Sequence, residues 1–146
     1  MNVAYRKMLG TGNRILVVDQ RAGEASPPSP ERLRELGADP SGPGFDQLMW
    51  VSAAEDPAYA ASYRVFNADG SEVEQCGNGV RCVASLLAGE TGHDQAFTLL
   101  SPAGPIEARV DDAFVTVSMG CPEFDPPRIP FIAERREDRY ALDVDG

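Results

Sequence analysis

Cys76 stands directly before Gly77-Asn78-Gly79, and the run that follows, V-R-C-V-A-S-L-L-A-G-E, has the apolar spacing of a helix. A thiol at a helix start faces backbone N–H groups that have no intrahelical acceptor, and it sits at the positive end of the helix dipole. Such a setting favours thiolate, and the same N–H groups can hold an anion such as a carboxylate. One short segment therefore offers a proton-transferring group and an anion cradle. Other residue types nearby have plainer readings. Asp69 in A-D-G-S is a turn former. Cys82 lies further along the same helix on its inner side and reads as a core thiol. Cys121, after a strand and before a proline, reads as a strand-end or linker residue. His93 in E-T-G-H-D reads as a solvated loop residue. The C-x5-C spacing is not a zinc spacing, and no metal site is expected. Gly10, Gly12, Gly77 and Gly79 do not make a dinucleotide fingerprint.

The elements that position Cys76 are those of a small α+β domain. Arg14 to Gln20 contains I-L-V-V, a short apolar run typical of a buried strand. Arg21 to Pro30 reads as a loop. A short helix is predicted from a Ser29 N-cap and Pro30 through Leu36, with Gly37 after its end. Asp39 to Gly44 is turn-rich. Asp46 to Ala53 and Ser62 to Asn67 read as strands, and Ala68 to Ser71 as a turn. The spacing predicts the main helix over Asn78 to Gly89, with Val80, Val83, Ala84, Leu86 and Leu87 on its apolar face. Phe97 to Ser101, Ile106 to Val110 and Phe114 to Met119 read as a β meander. Trp50 and its neighbours read as core. Short strands around one apolar helix imply an α+β domain whose sheet wraps the helix. The proline-rich segment from Cys121 reads as a boundary, giving a first domain over 1–120 and a linker with the beginning of a second over 121–146. Tyr140 to Val144 reads as the start of another strand.

Composition narrows the function classes. The chain has 146 residues, 42% hydrophobic and 25% charged, which is globular rather than disordered. Its net charge of −10 argues against a nucleic-acid surface, since phosphate binding needs clustered Lys and Arg. The acidity is dispersed and reads as solubility. No apolar run approaches the roughly 20 residues of a membrane span, and the N-terminus lacks the apolar segment of a signal peptide. Three cysteines, an odd number, suit reduced thiols and a cytoplasmic location.

G-T-G-N (Gly10 to Asn13), G-F-D-Q (Gly44 to Gln47) and F-N-A-D-G-S-E-V-E-Q-C-G-N-G-V-R-C (Phe66 to Cys82) fall in the order seen in diaminopimelate epimerases. The chain resembles that family from about Tyr5 to its last residue. The resemblance implies that the sheet is mixed and mostly antiparallel around a central helix. It also implies a cofactor-free, PLP-independent isomerase of lysine and peptidoglycan precursor synthesis. It would interconvert LL- and meso-diaminopimelate with two cysteines, one from each of two similar domains. Cys76 matches the first cysteine. Gly77 and Asn78 match the helix-start amides that hold the substrate carboxylate, and Asn13, Gln47 and Asn67 match side chains that contact the amino-acid groups. Family members commonly dimerise, so a homodimer is implied as well. Arg14 stands where many members have an acidic residue. The chain ends at Gly146, about where the family's second domain gets under way. The resemblance therefore places the partner cysteine outside it and implies little turnover by the isolated chain. Two alternatives stay open: a related racemase of the proline-racemase type, and a non-catalytic half-domain that binds amino acids or a partner chain.

Overall fold

The computed structural model describes residues 3–92 and 94–141. Within them lie strands β1 (Arg6–Gly10), β2 (Asn13–Gln20), β3 (Gln47–Ser52), β4 (Ala61–Asn67), β5 (Glu72–Val73), β6 (Gln95–Ser101), β7 (Gly104–Val110) and β8 (Val115–Val117). Helices α1 (Pro30–Ala38) and α2 (Gly77–Thr91) and a 3₁₀ turn at Pro126–Arg128 complete the set. The strands form one mixed sheet in the order β1-β2-β3-β4-β6-β7-β8, with β5 paired beside β4. The β2–β3 and β4–β6 pairs are parallel and the other pairs antiparallel. Each parallel pair needs a crossover; α1 serves the first and α2 the second.

Side-chain alternation divides the sheet into two faces. Ile15, Val17, Met49, Val51, Tyr63, Val65, Leu99 and Ile106 cluster with Val80, Val83, Leu86 and Leu87 of α2. Leu16, Val18, Leu48, Trp50 and Phe66 cluster on the other face with Leu33 of α1 and Phe45. Helix α2 touches β1 and β2 near one end of the sheet and β7 and β8 at the other, so the sheet curls around it. This is the α+β arrangement expected from the strand spacing.

Local chemistry fixes the element ends. Ser29 caps α1, its hydroxyl accepting from the Arg32 N–H, and Pro30 opens the first turn. The helix runs through Gly37 to Ala38, beyond the expected end at Leu36, and is closed at Asp39, whose N–H donates to the Glu35 carbonyl. Gly37 lies against Ala68, close enough that a Cβ there would meet the Ala68 carbonyl oxygen at 2.8 Å. It serves a close approach and not a stop. Strand β1 and the two-residue β5 were not singled out by the sequence reading; both are short and mostly exposed, with weak alternation. Tyr140 lies outside any strand. The remainder of the strand expected at Tyr140 to Val144, from Leu142 on, falls outside the described residues, as does His93. Among the described residues no helix is long and apolar enough to cross a membrane.

Candidate active site

Three strand ends and one helix start meet at one edge of the inner face. Asn13 opens β2, Gln47 opens β3 and Asn67 closes β4. Gln47 lies directly opposite Asn67 in the antiparallel pair, and Ile15, two residues after Asn13, lies opposite Gln47 in the parallel pair. By alternation Asn13 shares a face with Ile15 and Val17, Gln47 with Met49 and Val51, and Asn67 with Val65 and Tyr63. The three amides are thus the polar continuation of the apolar rows that pack on α2.

Cys76 is the N-cap of α2, in extended conformation (φ −146°, ψ 99°). Its Sγ accepts from the Gly79 N–H at 3.3 Å, and its carbonyl accepts from the Val80 N–H at 2.9 Å. The thiol hydrogen is directed to Gln47 Oε1 at 3.0 Å. The Gly77 and Asn78 N–H groups, too near the helix start for intrahelical acceptors, are unpaired among the described residues. All six candidate residues, Asn13, Gln47, Asn67, Cys76, Gly77 and Asn78, therefore stand together.

Two close approaches seat the helix start. A Cβ on Gly79 would collide with the Met49 side chain, and one on Gly10 would lie 2.9 Å from the Asn78 carbonyl oxygen. These glycines let α2 settle on β3 and on the β1 end. Met119 rests over Gly77, its sulfur 3.3 Å from where a Cβ would be.

The amides are joined by hydrogen bonds. Asn78 Nδ2 donates to Asn13 Oδ1 at 3.2 Å, and Asn13 Nδ2 to Gln47 Oε1 at 3.5 Å. Gln47 Nε2 donates to Asn67 Oδ1 at 3.4 Å, and Asn67 Nδ2 to Ser71 Oγ at 3.0 Å. The row ends outside on Asp69, which accepts from the Ser71 hydroxyl at 2.6 Å, and on Arg81, which donates to Asn78 Oδ1 at 2.5 Å. Ser71, Arg81 and Met119 were not singled out by the sequence reading. Ser71 and Arg81 nevertheless lie inside the long cysteine-bearing motif; Met119 carries no local signal.

Burial dominates at two neighbouring groups, Tyr63 and Cys82. The Tyr63 phenol is buried and makes no hydrogen bond among the described residues. Burial first, and the neighbouring Cys76 in addition, push it up to about 12 against the pull of the Ser101 hydroxyl. Burial likewise pushes the Cys82 thiol up, reinforced by Cys76 and opposed by Arg81. Cys82 is a core residue as expected, and Cys121 lies exposed after β8. The Ser71 hydroxyl, then its N–H, hold the Asp69 carboxyl below the usual range, in keeping with a turn former. Arg14 pairs with Asp46 at 2.6 Å, which fastens the start of β2 beside that of β3. Among the described residues no group of His, Cys, Asp or Glu could hold a metal ion.

The chain matches known proteins over most of its length. Residues 5–124 match the family model described as diaminopimelate epimerase. The chain is 41% identical over 152 aligned positions to a diaminopimelate epimerase of Nitrosospira multiformis. That alignment covers 99% of this chain and 52% of the relative, so the chain spans about half the relative's length. Among solved structures, a hydroxyproline epimerase from Agrobacterium vitis aligns with TM-score 0.57 and 18% identity, over 79% of this chain and 40% of that one. A predicted epimerase from Pseudomonas aeruginosa aligns with TM-score 0.54 and 22% identity, over 73% of this chain and 36% of that one. At those identities the likeness is one of fold.

Proposed function

The chain belongs to the diaminopimelate epimerase family, and on that footing we propose that it supplies one half of a cofactor-independent epimerisation of LL- to meso-diaminopimelate. Cys76 is one of the two acid/base thiols in this reading. The observation that carries it is the seating of Cys76 at the head of α2 within a ring of amides from three neighbouring strands. The Gly77 and Asn78 N–H groups take the carboxylate next to the reacting carbon. There they stabilise the charge that develops as the weakly acidic Cα–H is broken. Asn13, Gln47 and Asn67 meet the zwitterion, since each amide offers a donor and an acceptor.

Inversion needs a base on one face of Cα and an acid on the other. Cys76 serves one face, and a second thiol must serve the opposite one. Cys82 is packed in the core and Cys121 makes no hydrogen bond to the site among the described residues. The second thiol is assigned to a second domain closing over the substrate, which also excludes water. The isolated 146-residue chain should therefore turn over little or not at all.

Protection of Cys76 from iodoacetamide tests the reading without requiring turnover. The tryptic peptide 65–81 contains Cys76 as its single cysteine, so its alkylation can be followed by mass. Diaminopimelate should slow alkylation and L-proline should not. Equal protection by the two would move the assignment to the proline-racemase type, and protection by neither would remove the site. Proton exchange at Cα in heavy water, with Cys76→Ala as control, then tests the chemistry in any assembly that supplies the second thiol.

A further inference from the structure

A cleft opens on the face of the sheet turned away from Cys76. Its floor is Leu16 and Val18 of β2 with Leu48 and Trp50 of β3, whereas Ile15, Val17 and Met49 between them pack on α2. Helix α1 and the loop before it form one wall, and the chain ahead of β1 forms another. The cleft measures about 480 Å³, within the span of small-molecule sites. Trp50 is 3% exposed, and its indole N–H makes no hydrogen bond to a described residue. Among the described residues only the Tyr63 hydroxyl is both sealed from solvent and unpartnered, so the Trp50 N–H reaches the cleft. Arg32, in the first turn of α1, brings a guanidinium to the same cleft. No Asp or Glu lines it among the described residues, in a chain with 23 acidic residues against 13 basic ones.

We propose that this cleft is a binding site, distinct from the one at Cys76, for a small amphipathic monocarboxylate. The apolar body lies on the β2–β3 floor, and the carboxylate is taken by Arg32, with the Trp50 N–H as the donor on the floor. The lining selects against other classes. A cation would meet Arg32 with no carboxylate in the cleft to balance it. A zwitterion or a dicarboxylate would set a second charge on the apolar floor, where burying it is costly. A neutral apolar molecule would forgo the hydrogen bonds that the two donors offer.

Arg32 pairs with Glu35 at 2.9 Å through Nη1, and both side chains are largely exposed, 60% and 66%. A surface pair of this kind is weak, and it leaves Nε and Nη2 of Arg32 unused among the described residues. A carboxylate arriving from the cleft can take those two donors as a bidentate fork. Glu35 does not line the cleft; it is the competitor whose neutralisation should help an anion. None of these residues belongs to the Cys76 site, so the inference stands apart from the proposed function.

The chain has a single tryptophan, so the indole N–H gives one magnetic resonance signal in the isotope-labelled 146-residue chain. Octanoate is the probe and octanol its uncharged counterpart. Octanoate should move that signal saturably, with half-saturation roughly tenfold below that of octanol, the factor of one charge-assisted hydrogen bond. Arg32→Met should raise the octanoate half-saturation roughly three- to tenfold and leave that of octanol unchanged. Glu35→Gln should lower it roughly twofold. Both positions are exposed, so neither change threatens the fold. Equal half-saturation for the two probes, or an Arg32→Met chain that binds octanoate as before, would overturn the proposal. The same follows from a signal that stays still, or one that moves only as the native spectrum collapses. Movement with protein concentration alone would mean that a second copy covers the cleft, and would overturn the proposal as well.

Discussion

At the scale of single residues, the site depends as much on what is missing as on what is present. Gly79 has no side chain where Met49, fully buried, already fills the space. Gly79→Ala adds helix propensity worth roughly 1 kcal/mol, but it overpacks a site whose neighbour cannot swing away, at about 1–3 kcal/mol. The expected outcome is a net loss of up to about 2 kcal/mol, read as a lower denaturant midpoint, with faster Cys76 alkylation as α2 lifts and Sγ leaves Gln47. The residues that gather here were largely legible in the sequence. Cys76 stood out by its place before G-N-G, and Asn13, Gln47 and Asn67 through the resemblance of their motifs to those of the family. Ser71 and Arg81 escaped because they meet the site through hydrogen bonds to Asn67 and Asn78, and such contacts have no sequence period. Met119 escaped because its contact with the helix start is made across the fold.

At the scale of elements, one ion-pair group holds the end of β2 to the end of α2. Arg21 donates to Asp19 at 2.6 Å and to Glu90 at 2.8 Å. Hydrogen bonding to Arg21 holds the Asp19 carboxyl below its ordinary 3.8. A carboxyl depressed on folding contributes stability that is present above its unfolded value and lost as pH falls through its folded value. Acid titration from about 3.8 downward should therefore weaken the native chain more steeply than an Arg21→Met variant, measured by urea midpoints at successive pH values. Element types were well specified where caps and long apolar runs coincide, as in α2 and in β2 and β3. Helix α1 overran its expected end because Gly37 is needed for the approach to Ala68. Strands β1 and β5 were missed because an exposed edge and a two-residue ladder leave too little alternation to read.

At the scale of the whole molecule, α2 is the shared centre of the sheet. Strands from before and after it in sequence pack on the same apolar stripe, so the curl closes only when both groups are in place. Leu87, 3% exposed, lies in that stripe. Leu87→Ala should cost about 2–5 kcal/mol and lower the melting temperature in one cooperative step, with no partial transition confined to the β6–β8 meander. Two separate transitions by calorimetry would mean that the meander and the first strands fold as independent units.

The sheet also separates two natural reporters. The chain has one tryptophan, and Trp50 lies under α1 on the outer face, whereas Cys76 heads the helix on the inner face. Tryptophan emission therefore senses solvent entering beneath α1, and alkylation of Cys76, read by mass on peptide 65–81 because the exposed Cys121 also reacts, senses the opening of α2. Neither reporter needs a mutation. A ligand that quietens the thiol while leaving the emission spectrum still would have bound on the inner face alone, and an agent that shifts the emission first would have entered from behind.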